Sequence, residues 1–164
     1  MKLKIEGNSK YQTNLVLKFS QKDLDDKNLD IFKLLENCPQ LKKDSYSTKK
    51  IQVISDIVYM IVDRVSTGIT IKKQFNIEER IYYDKINQKF SNISTNNLLY
   101  ELKFIIFHSC SSISSGHYKA FCKIDNVWYL FDDLDSRFAI KEAPALKDNK
   151  NINFYPVILY YIKK

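Results

Sequence analysis

Two histidines stand in this chain, His108 and His117, and the second is followed within sixteen residues by adjacent carboxylates, Asp132 and Asp133. An imidazole beside a carboxylate is a unit of general base chemistry. A carboxylate on Nδ1 fixes the tautomer and stabilises the imidazolium, so the other ring nitrogen can take a proton from a nucleophile. A thiol is one side chain that such a pair can serve, and the chain has three cysteines: Cys38, Cys110 and Cys122. An activated thiolate is usually found at a helix N-terminus or beside a cation. Cys38 instead precedes Pro39 near the expected end of a helix, and Cys110 falls in a serine-rich loop. The three cysteines form no CxxC pair, so they fit neither a disulfide framework nor a complete zinc site, and free thiols are expected. No metal and no cofactor is implied.

Which aspartate serves His117 follows from strand arithmetic. Asp125 and Asn126 separate YKAFCKI from VWYLF, and that spacing predicts a two-residue hairpin turn, which tolerates Asp and Asn. Paired positions then sum to 251, so Lys119 faces Asp132 and Tyr118 faces Asp133. Side chains alternate faces along a strand, which puts His117 on the same face as Lys119 and Asp132, with Asp132 a diagonal neighbour roughly 7 to 8 Å away. Asp133 points to the other face. That opposite face collects Tyr118, Ala120, Cys122, Ile124, Val127, Tyr129 and Phe131, an apolar set expected to lie against the core. Cys122 would be inert packing there.

The elements that must position this hairpin are mostly strands. Apolar alternation predicts strands over 14–20, one or two within 51–62, short ones at 69–71 and 81–83, then 100–107, 118–124, 127–131, a weaker 138–140, and 154–162. Leu29, Ile31, Phe32, Leu34 and Leu35 recur at near-helical spacing, predicting a short helix over 28–36 with Asp26 as its cap. The polar runs 21–27, 42–50 and 87–97 read as connections, the last as an exposed loop. With no internal repeat or break in composition, the chain reads as one domain of α+β class in which strands dominate.

The residues quoted carry a resemblance. YELKFIIFHSCSSISSGHYKAFCKIDNVWYLFDD, residues 100 to 133, resembles the histidine box of ubiquitin-specific proteases, with GHY, the later Trp128 and FDD in order, and FYPVILYYI resembles that family's terminal strand. Upstream, SDIVYMIVDRVSTGITIKKQFNIEERI is similar to the family's palm strands, with Arg64 and Lys72 at recognisable places, and NLVLKFS with Cys38 resembles the start of its fingers. The resemblance implies a papain-like palm and fingers sheet, with residues 10–97 as the fingers and palm part and 98–162 as the histidine-box palm, the thumb half missing. His117 would be the general base and Asp132 its orienting acid. Ser109 to Ser115 would form a flap over the ubiquitin tail, with Ser115, Gly116 and Tyr118 as substrate contacts; Gly116 would let backbone approach the tail. Ubiquitin or a ubiquitinated protein would be the partner. The family's cysteine box, which reads like GNTCYMNS, has no counterpart in this sequence.

Composition bounds the remaining classes. At 164 residues and 45% hydrophobic, the chain can bury a sizeable core, and 11 Tyr and 10 Phe against 3 Gly argue against disorder. The longest apolar stretches fall far short of the roughly 20 residues of a membrane-spanning helix. No apolar block of secretory length follows MKLKIEGNSK, so cytoplasm or nucleus is expected. The net charge of +7 comes from scattered lysines, which form no basic patch of the kind nucleic acid requires. Two functions stay open: a deubiquitinase portion that supplies His and Asp while a separate polypeptide supplies the cysteine, and a noncatalytic ubiquitin-binding or scaffold module that has lost the chemistry.

Overall fold

The structure, a computed structural model, describes residues 3–5, 14–39, 41, 51–53, 56–66, 69–112, 115–134, 141–142 and 154–164, with backbone alone at 3–5, 51–53, 110–112 and 141–142. Its strands are β1 (Leu3–Ile5), β2 (Leu15–Lys18), β3 (Ile51–Val53), β4 (Ile57–Asp63), β5 (Val65–Ser66), β6 (Ile69–Thr70), β7 (Arg80–Asp84), β8 (Lys89–Ser91), β9 (Leu98–Ser112), β10 (Ser115–Ile124), β11 (Val127–Asp132), β12 (Lys141–Glu142) and β13 (Tyr155–Lys163). Among the described residues, two helices, α1 (Gln21–Asp25) and α2 (Ile31–Glu36), fall between β2 and β3. The α+β, strand-dominated class expected from the sequence is the one observed.

Among the described residues, nine strands form one mixed sheet in the order β12-β11-β10-β9-β13-β4-β2, with β7 paired to β9 and β8 to β7. All pairings are antiparallel except β2 with β4. The fifteen-residue β9 is the spine. It pairs with β13 along one edge, and on the other with β7 at its start and β10 beyond. β1 with β3 and β5 with β6 make separate two-stranded ribbons.

Alternation within β4 and β13, and within β9 with its phase shifted by the irregularity at Lys103, sends Val58, Met60, Val62, Leu102, Ile105, Phe107, Leu159 and Tyr161 to one side, where they are buried. α2 closes over that side with Ile31, Leu34 and Leu35, residues at i, i+3 and i+4 that share a helix face. Its N-cap is Asp30, whose carboxylate accepts from Lys33 N–H at 2.9 Å, and not the Asp26 expected from the sequence. Asp26 instead accepts from Asn28 N–H in the turn before. The polar run 21–27 also differs from expectation, because α1 occupies it. Ser20 accepts from Asp23 N–H while the Asp23 carboxylate accepts from Ser20 N–H at 2.7 Å, a capping box that forms a turn too short to show periodicity.

Two further expectations are corrected. The segment 87–97 is not wholly exposed loop: β8 lies within it, and Phe90, only 6% exposed, packs against Tyr83 and Tyr100. Three residues are too few for alternation to register above the surrounding Asn and Ser. The strand expected at 138–140 lies outside the described residues.

The most consequential correction concerns the hairpin's faces. Tyr118, Ile124, Val127 and Phe131, assigned to the core from their apolar character, are 36% to 58% exposed. Phe121 and Trp128, on the same side as His117, are 4% and 5% exposed. Periodicity says which residues share a face but not which face is covered. Phe121 meets Phe107 edge to face at a centroid distance of 5.3 Å. Glu79, just before β7, crosses that side to accept from Lys123 Nζ at 2.6 Å and Trp128 Nε1 at 3.3 Å. The lysine stems at 119 and 123 thus cover apolar surface while their charges find partners.

This assignment of faces has a direct test in denaturant unfolding. Phe121→Ala is expected to cost roughly 3–5 kcal/mol and Phe131→Ala under about 1 kcal/mol. The reverse order would put the core on the wrong side of the hairpin.

Candidate active site

Register builds the site. Asp125 and Asn126 both have positive φ, 48° and 68°, the two left-handed positions of a type I′ turn. The pairing runs Ile124↔Val127 through Lys119↔Asp132, the register expected from the sequence. Asp132 is therefore carried onto the same face as His117, and their side chains meet.

His117 Nε2 lies 2.6 Å from Asp132 Oδ1, and Lys119 Nζ lies 2.8 Å from Asp132 Oδ2. Leu134 N–H donates to the same Oδ1 at 3.2 Å. The expectation of a carboxylate on Nδ1 is thus corrected to Nε2. A diagonal neighbour across a strand pair is distant, and the ring reaches it with the nitrogen farther from its own backbone. With Nε2 donating to Asp132, Nδ1 carries the lone pair and is the nitrogen able to take a proton. Phe154, just before β13, packs edge to face against the imidazole at 5.8 Å.

Asp133 also departs from expectation. Parity would turn it away, but the chain leaves the strand after Asp132, and Asp133 Oδ1 comes 3.5 Å from His117 Nδ1 while its side chain stays 82% exposed. His117, Asp132 and Asp133 together bring ligand atoms within 4.8 Å of one another. A cation there would meet the Lys119 ammonium already seated on Asp132.

Lys119's hydrogen bond is the largest influence holding the Asp132 carboxyl below its ordinary value, against the opposing effect of burial and with help from His117 and Leu134 N–H. Ionised Asp132 is what the folded site favours.

Ser115 and Gly116 are exposed at the start of β10, where a bulge shifts the register between them. A Cβ on Gly116 would run into the Ser109 carbonyl oxygen and the His108 ring, so the glycine admits the protein's own atoms on that side. Tyr118 stacks on His108 at 4.2 Å, and burial holds the His108 imidazole below its ordinary value. That pair lines a pocket of about 450 Å³ with Val16, Ile61, Arg64 and Val157. Being adjacent in one strand, Tyr118 and His117 face opposite sides of the sheet.

Cys38 is fully buried in the core. Cys122 is a free thiol, half-buried, on the opposite side of β10 from His117. Cys110, expected in a loop, lies in β9 opposite Gly116, and residues 109–112 of the expected flap are strand; the Cys110 side chain lies outside the described residues. Sequence reasoning overlooked Lys119 as a participant although the register had already placed it opposite Asp132. It also overlooked Phe154, whose contact depends on how β13 enters beside β9.

Arg64, 5% exposed, fixes that entry. Its Nε donates to the Pro156 carbonyl at 2.8 Å and its Nη1 to those of Ile71 and Lys73, and its guanidinium lies 5.3 Å from the Tyr155 ring centre. The end of β4 is thereby tied to the strand that delivers Phe154.

Comparison with known proteins agrees with this architecture. The family model "Ubiquitin carboxyl-terminal hydrolase" matches residues 10–161, and the chain belongs to that family. No curated protein sequence matches it. Among solved structures, the chain is similar to a yeast SAGA DUB module containing a mutant Sgf73, at 17% identity and a TM-score of 0.62. It is also similar to a SAGA DUB module of Ubp8, Sgf11, Sus1 and Sgf73, at 16% identity and a TM-score of 0.61. Each match covers 99% of this chain and 39% of the other, so the chain spans well under half of the proteins it matches. The fold is that of a ubiquitin-specific deubiquitinase domain over the shared part. Among the described residues, no helix is long and apolar enough to cross a membrane.

The depressed Asp132 carboxyl gives a pH dependence with a definite sign. Because the unfolded chain binds the proton more readily, this stabilisation is present above the ordinary carboxylate value of 3.8 and is lost as pH falls below it. Wild type is expected to lose stability more steeply than Asp132→Asn on acidification through that range, measured by urea midpoints at successive pH values. Parallel profiles would show that Asp132 is not held by its partners.

Proposed function

We propose that this chain supplies the histidine and aspartate of a Cys-His-Asp thiol hydrolase site acting on peptide or isopeptide bonds at the ubiquitin C-terminus, the cysteine coming from outside these 164 residues. The observation that carries the reading is the 2.6 Å contact between His117 Nε2 and Asp132, which leaves Nδ1 as the proton acceptor on a family-matched fold. Residues 10–97 are then the fingers and palm part and 98–162 the histidine-box palm. Ser115 and Gly116 at the entry of β10, with Tyr118, are assigned to the ubiquitin tail.

In this reading a cysteine thiol placed against Nδ1 gives up its proton, and the thiolate attacks the carbonyl carbon of the ubiquitin terminal glycine. Asp132 stabilises the imidazolium, which then protonates the departing amine. Water, deprotonated by the same nitrogen, releases the acyl group. Cys38, sealed in the core, and Cys122, across the sheet, are both unsuited to the attacking role.

The same positions of Cys38 and Cys122 favour the second reading, a noncatalytic module that binds ubiquitin without cleaving it. Both readings place ubiquitin as the partner, and the Sgf73, Sgf11 and Sus1 chains named with the matched structures are a precedent for assembly with other subunits.

The test uses a ubiquitin probe with a C-terminal thiol-reactive group, read by intact mass beside noncovalent ubiquitin binding. No adduct is expected on this chain alone. An adduct that disappears in Cys110→Ser would make the chain self-sufficient and overturn the separate cysteine. In an enzyme reconstituted with a cysteine-bearing polypeptide, His117→Ala is expected to lower turnover by about 10²- to 10⁴-fold. Unchanged turnover would remove His117 from the chemistry, and ubiquitin binding with no turnover in any reconstitution would favour the noncatalytic module.

A further inference from the structure

Asp132 is shared. One carboxylate oxygen faces the His117 ring at 2.6 Å, and the other faces the Lys119 ammonium at 2.8 Å. Lys119 Nζ in turn lies 4.4 Å from the centre of the Phe154 ring, and Phe154 packs on His117. The four side chains close a ring: imidazole, carboxylate, ammonium, phenyl. Phe154 is itself held, since its carbonyl accepts from Gln74 Nε2 at 2.7 Å. The side chains of Lys119, His117 and Asp132 are only 23%, 19% and 17% exposed, so water screens their mutual interaction incompletely.

We propose that Lys119, braced on Phe154, is a positioning residue that fixes Asp132 against His117 and divides its negative charge, making the imidazole a weaker base than an unshared aspartate would. An ammonium and an imidazolium on one carboxylate repel each other, so each makes the other's positive charge more costly. A general base must be neutral at working pH to accept a proton. An aspartate serving His117 alone would favour the imidazolium, and Lys119 opposes that drift while holding the carboxylate in place. Among the described residues, the charged groups facing His117 are Asp132 and Asp133 from the end of β11 and Lys119 from its own strand. β9 presents Ser109 opposite it and the entry of β13 presents Phe154, neither of which titrates near neutral pH. The consequence for turnover rests on the proposed function, but the coupling of the three groups does not.

The test is an NMR titration of the chain's two histidines in wild type, Lys119→Met and Lys119→Arg. His108, on the opposite side of the sheet, serves as the internal reference. In Lys119→Met the His117 midpoint is expected to rise by about one pH unit while that of His108 stays in place. Lys119→Arg, which keeps the charge, is expected to leave most of that rise absent. An unmoved or lowered His117 midpoint in Lys119→Met, with His108 unchanged, overturns the proposal, as does an equal rise in Lys119→Arg. If Lys119→Met unfolds, seen as both histidines collapsing to one position, Lys119→Gln removes the charge with a polar side chain and is held to the same criteria. The titration needs neither ubiquitin nor a cysteine. A normal shift with no turnover in any reconstitution therefore sinks the hydrolase reading alone, and turnover with no shift sinks the role of Lys119 alone.

Discussion

The site hangs on one constraint, the register of β10 against β11. Two residues with positive φ, Asp125 and Asn126, close the hairpin, and everything beyond them is counted from that turn. Because side chains alternate with a period of two, a slip of one residue would turn Asp132 to the opposite face and bring Phe131 or Asp133 into its place. The bond between His117 and Asp132 is thus a product of a local turn and a sheet, without any long-range contact having to choose between the two aspartates.

The rest of the fold protects that register. β10 is held on its other edge by β9, and β9 by β13, so the hairpin is an extension of the sheet's central strands. Burial of Phe121 and Trp128 rewards one face only, and a slipped β11 would lose Trp128 from its place beside Glu79 and Lys123. Arg64 anchors the start of β13 through the Pro156 carbonyl, which fixes where Phe154 meets the imidazole. The charge chemistry and the packing therefore occupy the same side of the hairpin, with the lysine stems covering apolar surface between them.

Much of this was legible in the sequence, for physical reasons that differ by element. The turn at 125–126, the pairing of Lys119 with Asp132 and the shared face of His117 and Asp132 followed from local chemistry and arithmetic, which need no tertiary information. The side on which the core lies did not follow. Tyr118 and Phe131 look like core residues, yet the other face is the covered one, where Phe107 of β9 and Glu79 from the segment before β7 meet the hairpin. The contact through Nε2 and the bracing of Lys119 by Phe154 were hidden for the same reason: each depends on side-chain reach or on a strand that arrives from the far end of the chain. α1 and β8 were missed because five and three residues are too short for a period to show.

The register of β10 against β11 is measured directly by cross-strand proton contacts. In a two-residue hairpin the pair flanking the turn is hydrogen-bonded, so Lys119 with Asp132 and Phe121 with Leu130 fall at non-hydrogen-bonded positions, where facing Hα atoms are closest. Nuclear Overhauser contacts are expected between the Hα atoms of Lys119 and Asp132, and between those of Phe121 and Leu130. Contacts from Lys119 to the Hα of Phe131 or Asp133 instead would show a slipped hairpin, and with it a His117 that has no claim on Asp132.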